Sequence, residues 1–244
     1  MRPERGESVT SESARDAVEW LRGEDERMRF RRLLAVAAIA VVIGAGTVGP
    51  ALAYTNGSRY LTVPCTTSCG QQDYTNWCGV ASTHAVLHKL GKNIAQSTLA
   101  TKYGIGKNDG SAVAIEKIPG VLNGYISGFD YVHVARSGIA SVSSMKSVAQ
   151  YCVDTGYLGI PCVNPYPYTN SLGQYSPGLP TYTGTSRGGH YIVIRGYNYT
   201  TSSSSIYYWD PHYNASHYGY HNTSATNFWK TMYYKNWGSQ GVVY

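Results

Sequence analysis

A mixed α+β domain is the fold class this sequence predicts, with helices first and an antiparallel β-sheet second. Three observations carry that reading. After Cys78 the apolar residues Val80, Ala81, Ala85, Val86, Leu87 and Leu90 recur near a 3.6-residue spacing and stop at Gly91, the pattern of an amphipathic helix with a terminating glycine. Beyond residue 156 the pattern changes to short β-prone runs, at 157–163, 190–197 and 206–209. Helical segments followed by strands, rather than alternating with them, is α+β order.

The domain does not start at residue 1. Residues 1–32 are crowded with charge, and an uncharged apolar run opens at Leu33-Leu34-Ala35-Val36 and ends at Ala51-Leu52-Ala53. A basic flank, an apolar stretch and small residues at alternate positions are the parts of a secretory signal. The expected organisation is a signal peptide with an extended charged start over 1–53 and one domain over 54–244, secreted after cleavage. The alternative is an uncleaved anchor that leaves the domain outside the membrane, because the run is at the short edge of a span.

Removing 1–53 takes away equal numbers of basic and acidic residues, so the net charge of +6 stays with the remainder. That charge reflects scarce acids: only Asp73, Asp109, Glu116, Asp130, Asp154 and Asp210 follow residue 53. No Lys/Arg-rich run exists to neutralise phosphates, which argues against a nucleic-acid partner. The membrane is expected as a partner only during export, or through the uncleaved anchor. The domain is expected to be a monomer.

Taken in order, 60–63 is an expected strand and 71–76 a polar turn, followed by the helix that opens at Cys78. Further helices are expected over 97–103, 112–122 (interrupted by Pro119) and 144–154. Residues 164–187 are rich in Pro, Gly, Tyr and Ser and read as a long loop, which in a small domain usually carries function or disorder. The strands 190–197 and 206–209 pair across a turn at 200–205, and 228–234 reads as one further strand.

All five cysteines, Cys65, Cys69, Cys78, Cys152 and Cys162, lie beyond residue 53. The spacings allow local disulfides at Cys65–Cys69 and Cys152–Cys162 and leave Cys78 over, although four cysteines permit three pairings. No two close Cys/His pairs converge on a zinc pattern, and no cofactor is expected.

Cys78 stands where a loop becomes a helix, and there the unpaired N–H groups and the dipole favour a thiolate. His190 opens the clearest strand directly after Gly188-Gly189, a suitable place for a base that must reach a nucleophile. Asp210 ends the following strand, so a hairpin brings it to the same end of the sheet as His190. It is the natural partner to fix the imidazole tautomer. Gln72, six residues before Cys78, offers an amide donor for a developing oxyanion, together with the backbone N–H of Cys78. His84, His88, His133, His212, His217 and His221 are poorer bases by context.

Gln72, the run Trp77-Cys78-Gly79-Val80-Ala81-Ser82, the run Gly189-His190-Tyr191-Ile192-Val193-Ile194 and Trp209-Asp210-Pro211 together resemble papain-like cysteine peptidases. Among these the chain is most similar to the bacteriocin-leader-processing (double-glycine) peptidases and their secreted relatives, over about 71–211. Val80 stands where members often carry Pro. The resemblance implies a papain-like fold, no cofactor and a peptide or protein substrate. It also implies roles: Cys78 as nucleophile, His190 as general acid/base, Asp210 as orienting residue and Gln72 as oxyanion donor. Two other readings use the same residues. One is a cell-wall peptidoglycan amidase or endopeptidase, in which the third residue is often His rather than an acid and the Gln72-type element is absent. The other is an inactive scaffold whose Tyr-rich loops bind a ligand.

Overall fold

Helix α1, Cys78–Lys89, forms where the apolar periodicity predicts it. Its end at Gly91 is a Schellman turn: Gly91 adopts φ 77°, its N–H donates to His88 O, and Lys92 N–H donates to Leu87 O. The computed structural model describes residues 54–64, 70–184, 188–234 and 240–244. The expected signal peptide and the proposed Cys65–Cys69 loop lie outside the described residues. Four more helices follow, α2 (Gln96–Tyr103), α3 (Lys117–Asn123), α4 (Val142–Asp154) and α5 (Ala225–Tyr233). The strands, most of them from the second half of the chain, build two four-stranded sheets.

The first sheet has the order β1-β7-β8-β9, from Gly57–Tyr60, Val193–Tyr199, Ser204–Asp210 and Gly219–Ser224. The second has the order β2-β10-β3-β6, from His133–Ala135, Gly241–Val243, Ile160–Val163 and His190–Tyr191. All their pairings are antiparallel. β6 and β7 are separated by Ile192 alone, so one extended segment serves both sheets.

Residues of this segment alternate between two hydrophobic clusters, as successive side chains of a strand must. Tyr191 and Val193 pack with α1, while Ile192 and Ile194 pack with α4 and α5. Beyond a β-bulge between Ile194 and Gly196 the parity reverses, and Tyr197 and Tyr199 join the α4 cluster. Gly196 lies where a Cβ would meet Arg59 O and the Tyr60 ring at 2.8 Å, so only glycine lets β1 approach the bulge.

Four expectations are corrected. The strand expected over 60–63 lies earlier: β1 is Gly57–Tyr60, and 61–63 are outside any strand. Residues 228–234 are not a strand; most of them lie in α5. Their aromatic content suggests β structure, but Phe228 and Met232 lie one helical turn apart, and the Ser224 hydroxyl accepts from Asn227 N–H as an N-cap. Ala112–Leu122 yields only the shorter α3, starting at Lys117 with Pro119 in its first turn, where a missing N–H costs nothing. Cys152 and Cys162 are both free thiols. They sit on opposite sides of β3: Cys152 belongs to the α4 cluster, while Cys162 belongs to the α1 cluster beside Tyr191. A bridge would have to cross the sheet. The 164–187 loop, for its part, contains a small hairpin, β4 (Tyr168–Thr169) and β5 (Tyr175–Ser176).

Candidate active site

Cys78 occupies the first residue of α1, preceded by Trp77, whose side chain makes no capping hydrogen bond to the helix. The segment before it is held by a second loop. Asn76 Nδ2 donates to Gly106 O and Ser111 O, Trp77 Nε1 donates to Gly106 O at 2.8 Å, and Thr75 Oγ1 donates to Asn108 Oδ1. Gly79 lets the start of α1 reach the sheet, because a Cβ there would lie 2.9 Å from Val113 Cβ and 3.1 Å from the Tyr191 ring. The sequence Trp-Cys-Gly therefore sets the thiol against β6.

The His190 ring lies beside that thiol. His190 is buried, and its Nε2–H donates to Asp210 Oδ1 at 2.8 Å. That commits one ring nitrogen to the carboxylate and leaves Nδ1 for Cys78, whose thiol lies near enough for the His190 ring to lower it. The hairpin register explains the pairing: Val193 faces Trp209, so Asp210 falls one step further toward His190. Asp210 is fully buried and has three donors, the His190 ring, the His212 backbone N–H at 2.9 Å and the Tyr182 hydroxyl at 2.9 Å.

The charges follow from this geometry. Burial works against ionising the Cys78 thiol, yet His190 and the N–H groups of Tyr191 and Gly79 outweigh it and hold the thiol below its ordinary value. Burial also disfavours charge on His190, but Asp210 first and Cys78 second push the imidazole up to about 10. Asp210 is likewise held below the carboxylate range against its burial, chiefly by His190. A thiolate–imidazolium pair on a buried carboxylate satisfies all three shifts. Cys162, by contrast, is pushed up to about 12 by burial, and Cys152 is driven higher still.

Gln72 is also brought in, by its backbone: its N–H donates to Pro211 O at 2.7 Å, which joins the segment before α1 to the turn after Asp210. Its buried side chain is oriented by Tyr74 and Thr75, whose carbonyls accept from Nε2 at 2.8 and 2.9 Å. A flipped amide would set oxygen against two carbonyls, so this orientation is fixed. Oε1 has no hydrogen-bond partner. The remaining histidines stand apart from the His190 ring, with one exception. His84 Nδ1 is spent on Ile94 O, and His133 lies in β2. His212 is the exception: its ring centroid lies 5.6 Å from that of His190, and burial first and His190 second push it down to about 4.

Two residues of this site are not evident from the sequence. His212 had one available signal, since an Asp two residues ahead often accepts from the following backbone N–H. Tyr182 had none. It is one of several tyrosines in the long loop, and it reaches Asp210 across 28 residues.

Residues 60–242, well over half of the chain, match the family described as the Peptidase_C39 like family. No curated protein matches the chain. Among solved structures it is similar to digestive procathepsin L 3 of Tenebrio molitor larval midgut, with 12% identity, TM-score 0.45, and coverage of 85% of this chain and 77% of that one. It is also similar to the proform of the Amb a 11 cysteine protease, a major ragweed pollen allergen (8% identity, TM-score 0.35, 72% of this chain and 62% of that one). The recombinant stem bromelain precursor matches at 12% identity and TM-score 0.32, over 72% of this chain and 63% of that one. With its match spanning the helix that bears Cys78 and the strands that bear His190 and Asp210, the chain belongs to the Peptidase_C39-like family and is a cysteine peptidase.

Proposed function

We propose that this is a secreted peptidase that hydrolyses peptide bonds through a Cys78 thioester, with His190 as general acid and base. The observation that carries the reading is the relay from the thiol at the start of α1 to His190 and on to Asp210 at 2.8 Å. The Cys78 thiolate attacks the carbonyl carbon, and the imidazolium gives its proton to the departing amine. Water then attacks the thioester while neutral His190 takes its proton, and collapse releases the acid product and expels the Cys78 thiolate beside the imidazolium. Asp210 keeps Nε2 protonated, which leaves Nδ1 as the working nitrogen. The oxyanion is met by the backbone N–H of Cys78 and by Gln72, which must exchange one of its bonds to Tyr74 or Thr75 for the substrate. A carboxylate as third member favours a peptidase over the cell-wall amidase reading. Export rests on the apolar run ending at Ala51-Leu52-Ala53.

An epoxysuccinyl peptide probe followed by mass mapping tests the reading. Labelling of Cys78, with turnover of a denatured protein substrate lost in Cys78→Ala, supports it. Turnover that persists in Cys78→Ala removes it. An unlabelled Cys78 in protein without turnover supports the inactive scaffold instead.

A further inference from the structure

The loop 164–184 divides into an exposed hairpin and a buried return limb. At the hairpin tip Leu172 is 80% exposed, while Leu179 and Tyr182 are almost wholly buried. The neck is closed where Leu179 N–H donates to Pro165 O at 2.7 Å. Gly178, at φ 76°, leaves no room there for a side chain: a Cβ would sit 2.5 Å from Pro165 O. This closure delivers Tyr182 beneath the sheet end that carries His190 and Asp210.

The Tyr182 ring is fixed on several sides. It stacks on His217 at 4.1 Å and 10°, meets His212 edge-on at 5.7 Å, and meets Tyr166 edge-on at 5.2 Å. Its hydroxyl then donates to Asp210 Oδ2 at 2.9 Å, while Oδ1 receives both His190 Nε2–H and the His212 N–H. The carboxylate plane is thereby held from both oxygens.

We propose that Tyr182 is a positioning residue of the catalytic relay: its hydroxyl locks the Asp210 carboxylate so that Oδ1 stays on His190 Nε2–H. The inference rests on the Cys78–His190 reading above. Burial first and Asp210 second raise the phenol far above its ordinary range, so it remains a donor at every working pH. Without that donor Oδ2 is a buried acceptor with no partner, a costly state that rotation of the carboxylate relieves. Rotation unseats Oδ1 and weakens support for the imidazolium.

The test uses the full chain and Tyr182→Phe, which keeps the stacked ring and removes only the hydroxyl. Cys78 alkylation by iodoacetamide is followed against pH by mass mapping of its peptide. The charged or titratable groups facing His190 are Cys78, Asp210, His212 and Tyr182, and only the last is altered. The alkaline limb of Cys78 alkylation is expected to move down by about one pH unit, the equivalent of a tenfold weaker hold on the His190 proton. An unchanged limb, or one moved up, overturns the proposal even if the variant melts at a lower temperature. If Tyr182→Phe does not accumulate, proton NMR of the unaltered protein decides. A slowly exchanging Tyr182 hydroxyl proton supports the bond, and rapid exchange overturns it. Failure of Cys78 to alkylate in the unaltered protein would instead sink the relay itself, which distinguishes the two failures.

Discussion

Asp210 carries the highest density of interactions at the site, and its substitution separates charge from shape. In Asp210→Asn one oxygen still accepts from His190 and the His212 N–H, and the new amide group faces the Tyr182 hydroxyl, which accepts as readily as it donates. Orientation is retained and charge is lost. Turnover should fall by less than in His190→Ala, and the alkaline limb should drop from the neighbourhood of pH 10, because Asp210 is the chief cause raising His190. The sign is fixed: losing the carboxylate lets the imidazolium release its proton at lower pH. A pH–rate profile of both variants checks the ordering. Gln72→Ala should leave Cys78 open to alkylation but slow turnover by about a hundredfold, the scale of a lost oxyanion donor. Wild-type turnover in Gln72→Ala would move the oxyanion role to another donor. Cys78, His190 and Asp210 could be read from the sequence because each is a single residue type at the end of a regular element, where position alone fixes direction. Tyr182 could not, because its contact depends on how a loop closes at Gly178, and no local pattern encodes that closure.

The elements themselves show the same division. Helix α1 and the β7–β8 hairpin have long periodic patterns and formed where those patterns placed them. Strands β2, β9 and β10 went unread because they are short, polar or terminal, and they exist through pairing with distant partners. Helix α5 was obscured by its aromatic residues, which suggest strand by propensity but pack at helical spacing. Its Ser224 cap gives a direct check. Ser224→Ala should cost about 1 kcal/mol in urea unfolding, the usual worth of an N-cap hydroxyl. No loss would mean the cap is replaced by solvent. Gly79→Ala probes how α1 meets the sheet. A methyl group meeting Val113 and Tyr191 forces the helix start outward, and overpacking of this kind costs about 1–3 kcal/mol. Because the displaced residue is next to Cys78, turnover should fall further than stability does. Equal stability and equal turnover would contradict the close approach.

At the scale of the whole molecule, two sheets share one extended segment, and the site lies at the point where that segment passes from one sheet to the other. His190 pairs with Val163 of the second sheet, while Val193, three residues on, pairs with Trp209 of the first. The relay therefore spans the junction of sheet and helix and depends on the entire domain being folded. The thiol inventory is a molecular property too. Cys152 and Cys162 are buried and their thiols raised, so in the folded protein both should resist alkylation at neutral pH and react only after unfolding. The export reading predicts Tyr54 as the mature N-terminus, checked by sequencing the secreted protein. A start before residue 33 would contradict it. The central claim is that Cys78 and His190 share charge as a thiolate–imidazolium pair, and the most direct measurement is the ultraviolet thiolate absorbance of the folded protein against pH, taken as the difference from Cys78→Ala. The account predicts a thiolate already present well below the ordinary thiol range, lost only on acidification and abolished in that low-pH range by His190→Ala. A single thiol titrating near its ordinary value, indifferent to His190, would contradict it.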